Sequence, residues 1–267
     1  MITSSGERAR VADFWDEVLA GWVPGHGHLM PPLDRWCESY KGQGDGVVDL
    51  DHYPDPYIGD LRGLNGEPRL VFLGLNPGIG YDSLQGDHGT WTKRIRAAGY
   101  SRCFERSPAE DPVSWKALHK GKESAYWRNL TRFARRWLDD PHVGVDQLLN
   151  FELYPWHSKK VVGRMRPPVD LVDDFIWKPV QEVPVDEVFA FGRGWLDVCR
   201  DLDLEEIATW GPETAPVPGS TMKHWRVSLF RLPSEQVVVV SSQMGSGSPP
   251  GLERTKLLKE VAADHRS

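Results

Sequence analysis

The sequence has few cysteines and no long apolar run. Three of its 267 residues are cysteine, Cys37, Cys103 and Cys199, and they lie far apart in the chain. Three separated thiols supply neither a disulfide framework nor a four-cysteine metal or iron–sulfur site. No apolar segment approaches the roughly 20 residues of a membrane-spanning helix, and MITSSGERAR at the start lacks the apolar core of a signal peptide. We therefore expect a cytoplasmic protein with no membrane partner, no metal and no cofactor.

Basic residues are a minority in the whole chain but are concentrated in its middle. The formal net charge is −6, which argues against a generally basic nucleic-acid-binding protein. Residues 93–166 nevertheless contain 16 lysines and arginines against 8 aspartates and glutamates. If these cations share one face, they would attract a polyanion in a salt-dependent manner. If they are spread over solvated helix faces, they have no such function.

The spacing of apolar residues predicts an α/β fold. Four apolar segments have the length and borders of parallel-sheet strands: 69–75, 147–154, 187–192 and 236–242. Helical spacing is found over 7–22, 124–138, 170–179, 194–202 and 252–263. This alternation predicts a three-layer αβα sandwich with a central four-stranded parallel sheet. We expect one globular unit, in which residues 1–68 form a helix and an irregular segment packed on the α/β domain of residues 69–267.

Unusual loops follow the predicted strands. The first strand ends in Gly-Leu-Asn-Pro-Gly, where Asn76 could orient a water or a substrate carbonyl. Asn150 in the second strand offers a donor and an acceptor to a planar polar edge, and the backbone N–H groups of loop 245–248 could hold a phosphate. Open α/β sheets keep their sites at these strand ends. The alternative is purely structural, because Asn-Pro and Gly-Ser-Pro segments are common in ordinary turns and loops.

Five motifs occur in a definite order along the chain. Residues 74–78 read Gly-Leu-Asn-Pro-Gly, Tyr126-Trp127 begins a predicted helix, and Asn150 lies in a strand. Residues 188–195 read VFAFGRGW, and the last strand runs into a Ser/Gly/Pro loop before the final helix. In these motifs, residues 69–263 resemble the uracil-DNA glycosylase superfamily, especially its mismatch-specific thymine/uracil branch. The branch's G-[IL]-N-P-G motif is matched throughout.

The resemblance implies a fold, an activity and a set of site residues. The fold would be uracil-DNA glycosylase-like, and the protein would be a monomeric, monofunctional DNA N-glycosylase that hydrolyses the N-glycosidic bond of a flipped, mismatched or modified pyrimidine. Asn76 would position the attacking water. The base-binding residues would be Asn150, Tyr126, Tyr81, Gly74, Leu75 and Pro77. The DNA-binding residues would be Gly245, Ser246, Gly247, Ser248, His157, Lys159, Lys160, Arg164 and Arg166.

Two features depart from the superfamily's pattern. Residues 242–247, Ser-Gln-Met-Gly-Ser-Gly, stand where His-Pro-Ser or Asn-Pro-Ser is usual, and the segment between the first two motifs is long. Both indicate a pocket remodelled for a base other than plain uracil, such as a bulky modified cytosine of phage DNA, which would imply a defence role. Glu152 could read an amino group or pair with an arginine. His157 could contact DNA or be an ordinary surface histidine.

Three other functions can be compared with the glycosylase interpretation. A non-catalytic nucleic-acid-binding protein on the same fold would explain the altered last motif but not the Asn76 motif. An α/β hydrolase with Ser242 or Ser246 as nucleophile is disfavoured, because the G-x-S-x-G elbow is missing. A dinucleotide-binding protein is excluded, because no G-x-G-x-x-G opens a helix after the first strand.

Overall fold

A computed structural model of the protein describes residues 6–22, 29–40, 42–104, 118–119, 122–243 and 247–265. Within these residues the α-helices are α1 (Glu7–Ala20), α2 (Leu33–Glu38), α3 (Thr90–Ala98), α4 (Ala125–Trp137), α5 (Val169–Val172), α6 (Lys178–Gln181), α7 (Arg193–Asp201) and α8 (Leu252–Ala263). The strands are β1 (Tyr57–Ile58), β2 (Leu70–Gly74), β3 (Leu118–His119), β4 (Lys122–Glu123), β5 (Leu148–Glu152), β6 (Glu187–Phe191), β7 (Glu205–Trp210), β8 (Arg226–Arg231) and β9 (Val237–Ser242).

Seven of the strands form one mixed sheet, in the order β1-β5-β2-β6-β9-β8-β7. The four central strands, β5, β2, β6 and β9, are parallel to one another. The outer strands β1 and β8 run antiparallel to their inner neighbours, and β7 runs antiparallel to β8. Strands β3 and β4 form a separate antiparallel pair. The protein is therefore an α/β protein in which helices flank a sheet with a parallel centre.

The four strands predicted from the sequence are the parallel centre, and that prediction is confirmed. The prediction of a four-stranded sheet is wrong, because three antiparallel strands extend it. Each of these has a weak sequence signal. Tyr57–Ile58 has two residues, Glu205–Trp210 opens with two exposed glutamates, and Arg226–Arg231 carries an arginine at each end. β1 and β7 lie at the edges of the sheet, where a strand needs no continuous apolar run, and the short apolar run of β8 is interrupted by Ser228.

The centre of the sheet is covered by α4 through aromatic side chains. Phe133 is fully buried, with its ring centroid 5.0 Å from that of Phe189, 5.6 Å from that of Phe191 and 5.9 Å from that of Phe72. Trp137 stacks on Phe133 one turn later. Trp137, at the end of α4, contacts Glu187 at the start of β6, whereas Tyr126 contacts Asn150 near the end of β5, so the helix begins over the carboxyl ends of the strands. Its first turn, which carries Tyr126, lies at that edge.

The predicted helices are present, with small differences at their ends. The helix predicted over 170–179 is interrupted, because a π-helical segment, Asp173–Trp177, joins α5 to α6. Helix α3 was not predicted, because its basic residues obscure an apolar face made of Trp91 and Ile95. Within the described parts of the chain, no helix combines the length and the apolar character that a membrane span requires.

The amino-terminal part of the chain contributes to the same core as the sheet. Trp15 of α1 and Trp36 of α2 are buried and pack around Phe175. The indole Nε1 of Trp36 donates a hydrogen bond to the carbonyl of Leu153, at 3.0 Å, directly after β5. This contact fixes the chain where it leaves the central sheet, next to the polar residues at the strand ends.

We predict that Phe133→Ala lowers the free energy of unfolding by about 3–5 kcal/mol, the range for truncating a buried aromatic residue. The reason is that Phe133 is in contact with aromatic residues of two central strands. Urea denaturation measures the change. Arg132→Ala, at the exposed neighbouring position, is the matched control and should change stability by no more than about 0.5 kcal/mol. A loss for Phe133→Ala as small as that of the control would contradict the packing described.

Candidate functional site

A pocket of about 760 Å³ lies at the carboxyl ends of the four parallel strands. Each strand contributes to its lining: Asn76 follows β2, Glu152 ends β5, Gly192 follows β6 and Gln243 follows β9. Tyr126 from the first turn of α4 completes the polar wall. Parallel strands bring their carboxyl ends to one edge, so four segments distant in sequence meet in one cavity.

The amide of Asn76 is held in one orientation. Its Nδ2 donates to the hydroxyl oxygen of Ser158 at 2.7 Å, and that hydroxyl donates in turn to the carbonyl of Lys160 at 3.1 Å. Because the hydroxyl hydrogen of Ser158 points to a carbonyl, its oxygen can only accept from Asn76. The amide nitrogen of Asn76 therefore faces Ser158, and its carbonyl oxygen, Oδ1, accepts no hydrogen bond from the described residues. A water in the pocket can bind to this oxygen.

The loop that carries Asn76 is fixed from behind by His157. Gly78 has a φ of 79°, a backbone conformation that favours glycine. Its carbonyl accepts from the Ser158 backbone N–H at 2.9 Å and lies 3.1 Å from Nδ1 of His157. The other ring nitrogen of His157 lies 3.1 Å from the carbonyl of Tyr53. The Asp55 carboxylate also lies beside this ring, 3.5 Å from Nε2.

A chain of hydrogen bonds connects Tyr126, Asn150 and Glu152. The Tyr126 hydroxyl donates to Oδ1 of Asn150 at 2.9 Å, and Nδ2 of Asn150 donates to Oε1 of Glu152 at 2.8 Å. Asn150 is fully buried and Glu152 is 4% exposed. Desolvation, together with the charge of Glu152, raises the pKa of the Tyr126 hydroxyl well above its usual value. Tyr126 therefore keeps its proton and remains the donor.

The Glu152 carboxylate lies against the backbone of Gly74, its register partner on β2. A Cβ atom on Gly74 would come within 2.3 Å of Oε2 of Glu152. The glycine is thus required for close approach of a carboxylate and not for a special φ. The carbonyl of Gly74 accepts from the indole of Trp195 at 2.8 Å and from the backbone N–H of Leu153 at 3.0 Å, which fixes the strand end.

Cations surround the opening of the pocket. Lys160 is paired with Asp45 at 2.9 Å, and Arg164 is paired with Asp197 at 2.9 Å. Exposed Lys159 and Arg193 also line the pocket. Neither of these two cations forms an ion pair with the part of the chain that the structure describes. They are therefore available to an anion.

Some of the predicted base-binding residues line the pocket and others do not. Asn76, Tyr126 and Leu75 line it. Asn150 does not, because it is buried behind Tyr126 and Glu152 and uses its amide on them, so its prediction as the residue that reads the base is corrected. Gly74 supports Glu152 from the strand. Of the described residues, the remaining predicted base contacts, Tyr81 and Pro77, are also outside the lining.

The predicted DNA-binding residues also include some that line the pocket and some that do not. Those that line the pocket are Gly247, Ser248, Lys159, Lys160 and Arg164. Arg166 is exposed but lies outside the lining. The prediction for His157 is corrected, because its ring is fully buried and both nitrogens face backbone carbonyls. Gly245 and Ser246 lie outside the described residues.

Sequence reasoning missed two residues of the site. Ser158 orients Asn76, and Arg193 is an exposed cation at the pocket. The signal for Arg193 was its position in Gly-Arg-Gly after a strand. No sequence signal identifies Ser158, because its contact with Asn76 spans 82 residues. In the described ranges, no group of three His, Cys, Asp or Glu residues is arranged to hold a metal ion.

Comparisons of this chain with models of protein families, with curated proteins and with solved structures found no match.

We predict that Asn150→Asp lowers stability in a pH-dependent manner. The new carboxylate would face Glu152 in buried surroundings, and two adjacent carboxylates raise the pKa of one of them above its value in the unfolded chain. A carboxyl group with a raised pKa in the folded state destabilises the fold as pH rises through that pKa. The loss of melting temperature relative to wild type should thus be larger at about pH 8 than at about pH 5. Asn129→Asp, at an exposed position, is the control; equal losses at both pH values would contradict the buried contact.

Proposed function

We propose that this protein is a DNA N-glycosylase that hydrolyses the bond between deoxyribose and a flipped pyrimidine, leaving an abasic site. The observation that carries the proposal is Asn76, whose amide is oriented by Ser158 at the edge of a large pocket. The motif around Asn76 resembles the water-positioning motif of the uracil-DNA glycosylase superfamily.

The reaction needs a base that has left the DNA stack. An enzyme cannot reach the glycosidic bond inside a duplex, so the nucleotide must rotate into a pocket lined by aromatic and polar side chains. Tyr126 supplies an aromatic ring and Glu152 supplies polar atoms at one wall. The volume of about 760 Å³ lies in the range of pockets that hold drug-sized ligands. This size supports a pyrimidine with an additional substituent, such as a modified cytosine of phage DNA.

In the proposed step, the bond between C1′ and N1 of the base breaks, and both electrons go to the base. The sugar develops positive charge, and the oxygen of a water forms the new bond to C1′. The water loses one proton, and the departing base gains one, so the sum is hydrolysis. Oδ1 of Asn76 would accept a hydrogen bond from the water and hold it below C1′. An amide is a poor base, so its contribution is positioning, which is worth several kcal/mol when the geometry is right.

The DNA backbone would lie across the opening of the pocket. Lys159 and Arg193 are exposed cations there without ion pairs in the described chain. Helix α7 begins at Arg193, so its first N–H groups and the positive end of its dipole also lie at the pocket. The phosphates held there would in turn stabilise the positive charge that develops on the sugar.

A second candidate function is nucleic-acid binding without catalysis. It is favoured by one observation, which is that Gln243 lines the pocket where the superfamily's last motif would place His-Pro-Ser or Asn-Pro-Ser. Both functions use the same cations and the same pocket. They differ in whether wild-type protein releases a base, and this difference decides between them.

We predict that Asn76→Ala slows base release by a factor of about 10² to 10⁴, the usual effect of losing one positioned catalytic group. DNAs that contain uracil, mismatched thymine or bulky modified pyrimidines are incubated in single turnover, and abasic sites are cleaved with alkali. DNA affinity and melting temperature should remain close to wild type. The control Asn129→Ala should release bases at the wild-type rate. A wild-type rate for Asn76→Ala would remove Asn76 from the reaction, and binding without release by wild type would favour the second function.

We predict that DNA affinity falls steeply with salt and that Lys159→Gln and Arg193→Gln weaken binding to all sequences alike. Each lost phosphate contact should lower the slope of log affinity against log salt by about 1. Fluorescence anisotropy at several salt concentrations measures the slopes. Arg231→Gln is the control, because Arg231 pairs with Val237 at the opposite edge of the sheet. Affinity that does not change with salt would contradict a polyanion partner.

A further inference from the structure

The polar wall of the pocket has a defined hydrogen-bond direction. A carboxylate can only accept, so the side of Asn150 that faces Glu152 must be its NH₂ group. The opposite side of the amide is then the carbonyl oxygen, which must accept from the Tyr126 hydroxyl. The Tyr126 hydroxyl and the Asn150 amide therefore both donate to other residues of the protein. The direction runs from Tyr126 through Asn150 to Glu152.

The atoms that this wall presents to a ligand are therefore acceptors. The Tyr126 hydroxyl donates its hydrogen to Asn150, so its oxygen can only accept a hydrogen bond from a ligand. The Glu152 carboxylate has acceptor oxygens only, and the Asn150 amide donates to Oε1. Both residues line the pocket. The cations of the same pocket are exposed at its opening, where the proposed function assigns them to phosphates.

Pyrimidines differ at the position that such a wall would read. Cytosine-type bases carry an amino group at C4, which is a donor, whereas uracil and thymine carry a carbonyl oxygen there, which is an acceptor. An acceptor wall binds the amino group and repels the carbonyl. Sites built to bond a polar group can reject the analogue that lacks it by large factors, because buried polar atoms are then left unpaired. In this site the acceptor is a carboxylate, whose charge repels the C4 carbonyl oxygen and makes the mismatch more costly.

We propose that Glu152, oriented by Asn150, reads the exocyclic amino group of a 4-aminopyrimidine, so that the excised base belongs to the cytosine class and not to the uracil or thymine class. This inference rests on the proposed glycosylase function. Gly74 contributes to this recognition, because any side chain at position 74 would displace the Glu152 carboxylate. The thymine/uracil branch that the sequence resembles would then share the reaction of this protein but not its base.

The test compares three pairs of bases in otherwise identical DNA. The pairs are cytosine and uracil, 5-methylcytosine and thymine, and 5-hydroxymethylcytosine and 5-hydroxymethyluracil. Within each pair, the bases differ in the amino or carbonyl group at C4 and in the adjacent N3, which is an acceptor in the cytosine-type member and an N–H donor in the uracil-type member. In every pair from which wild-type protein releases a base in single turnover, we expect the amino member to be released at least about 10²-fold faster. A carbonyl member released equally fast or faster would overturn the inference while leaving the proposed function intact.

A variant of Glu152 adds an independent measurement. Glu152→Gln replaces an acceptor by a side chain that can donate to a C4 carbonyl. The variant should therefore reduce the ratio of the release rates of the amino and carbonyl members of a pair at least about tenfold. Glu187→Gln is the matched control, because Glu187 is also a buried glutamate but lies at the start of β6, at the other edge of the sheet. An unchanged ratio in a folded Glu152→Gln protein would overturn the role of Glu152. If this variant does not fold, the wild-type ratios still decide whether the base class is correct.

Binding separates this inference from the proposed function. Asn76→Ala protein is titrated with the same six DNAs, and tighter binding to each amino member is expected. Preferential binding without release of any base by wild type would reject the glycosylase but retain the recognition of the amino group. Release without any preference in rate or affinity would retain the glycosylase and reject the recognition. Absence of both release and preference would reject both.

Discussion

The buried carboxylate of Glu152 is the constraint on which the rest of the site depends. A carboxylate removed from water is costly unless hydrogen bonds compensate it, and Asn150 donates one of them at 2.8 Å. This contact fixes the direction of the Asn150 amide, which fixes the hydroxyl of Tyr126 and with it the first turn of α4. It also explains why the strand next to it ends in glycine, since Gly74 leaves room for the carboxylate oxygens.

A second, separate network supports the loop that carries Asn76. His157 faces the carbonyls of Gly78 and Tyr53, and Asp55 lies beside it, so a polar cluster is buried behind the loop. The next residue, Ser158, turns toward the pocket and orients Asn76. Consecutive residues thus have different tasks, one as a structural support and the other as an orienting contact. Residues 157–160, His-Ser-Lys-Lys, have the composition of a phosphate-binding surface, but the fold buries the histidine.

The parallel centre of the sheet could be predicted from the sequence because each of its strands is a continuous apolar run bounded by Gly, Pro or polar residues. The three antiparallel strands could not, because they are short or interrupted by polar residues and no continuous apolar run marks them. The site, too, could be predicted only in part. Asn76 was identified from its place at a strand end, whereas the burial of Asn150 and the contact with Ser158 depend on register and on loop packing. An amide in a strand looks the same in sequence whether it reads a ligand or orients a neighbour.

The groups at the pocket differ in how rigidly the fold holds them, and this difference follows their proposed tasks. Glu152 ends β5, where Gly74 of β2 is its register partner, and Asn76 lies just beyond the end of β2, with its amide held by Ser158. Glu152 is therefore positioned by the backbone hydrogen bonds of the sheet, and Asn76 by a side-chain hydrogen bond next to the strand end. Lys159 and Arg193 lie outside the strands and are exposed. A flexible cation can still hold a phosphate, because charge attraction tolerates displacement, whereas placing a water at C1′ and reading one amino group do not. Changes at the opening of the pocket should then alter affinity alone, and changes at the two strand ends should alter the chemistry and the choice of base.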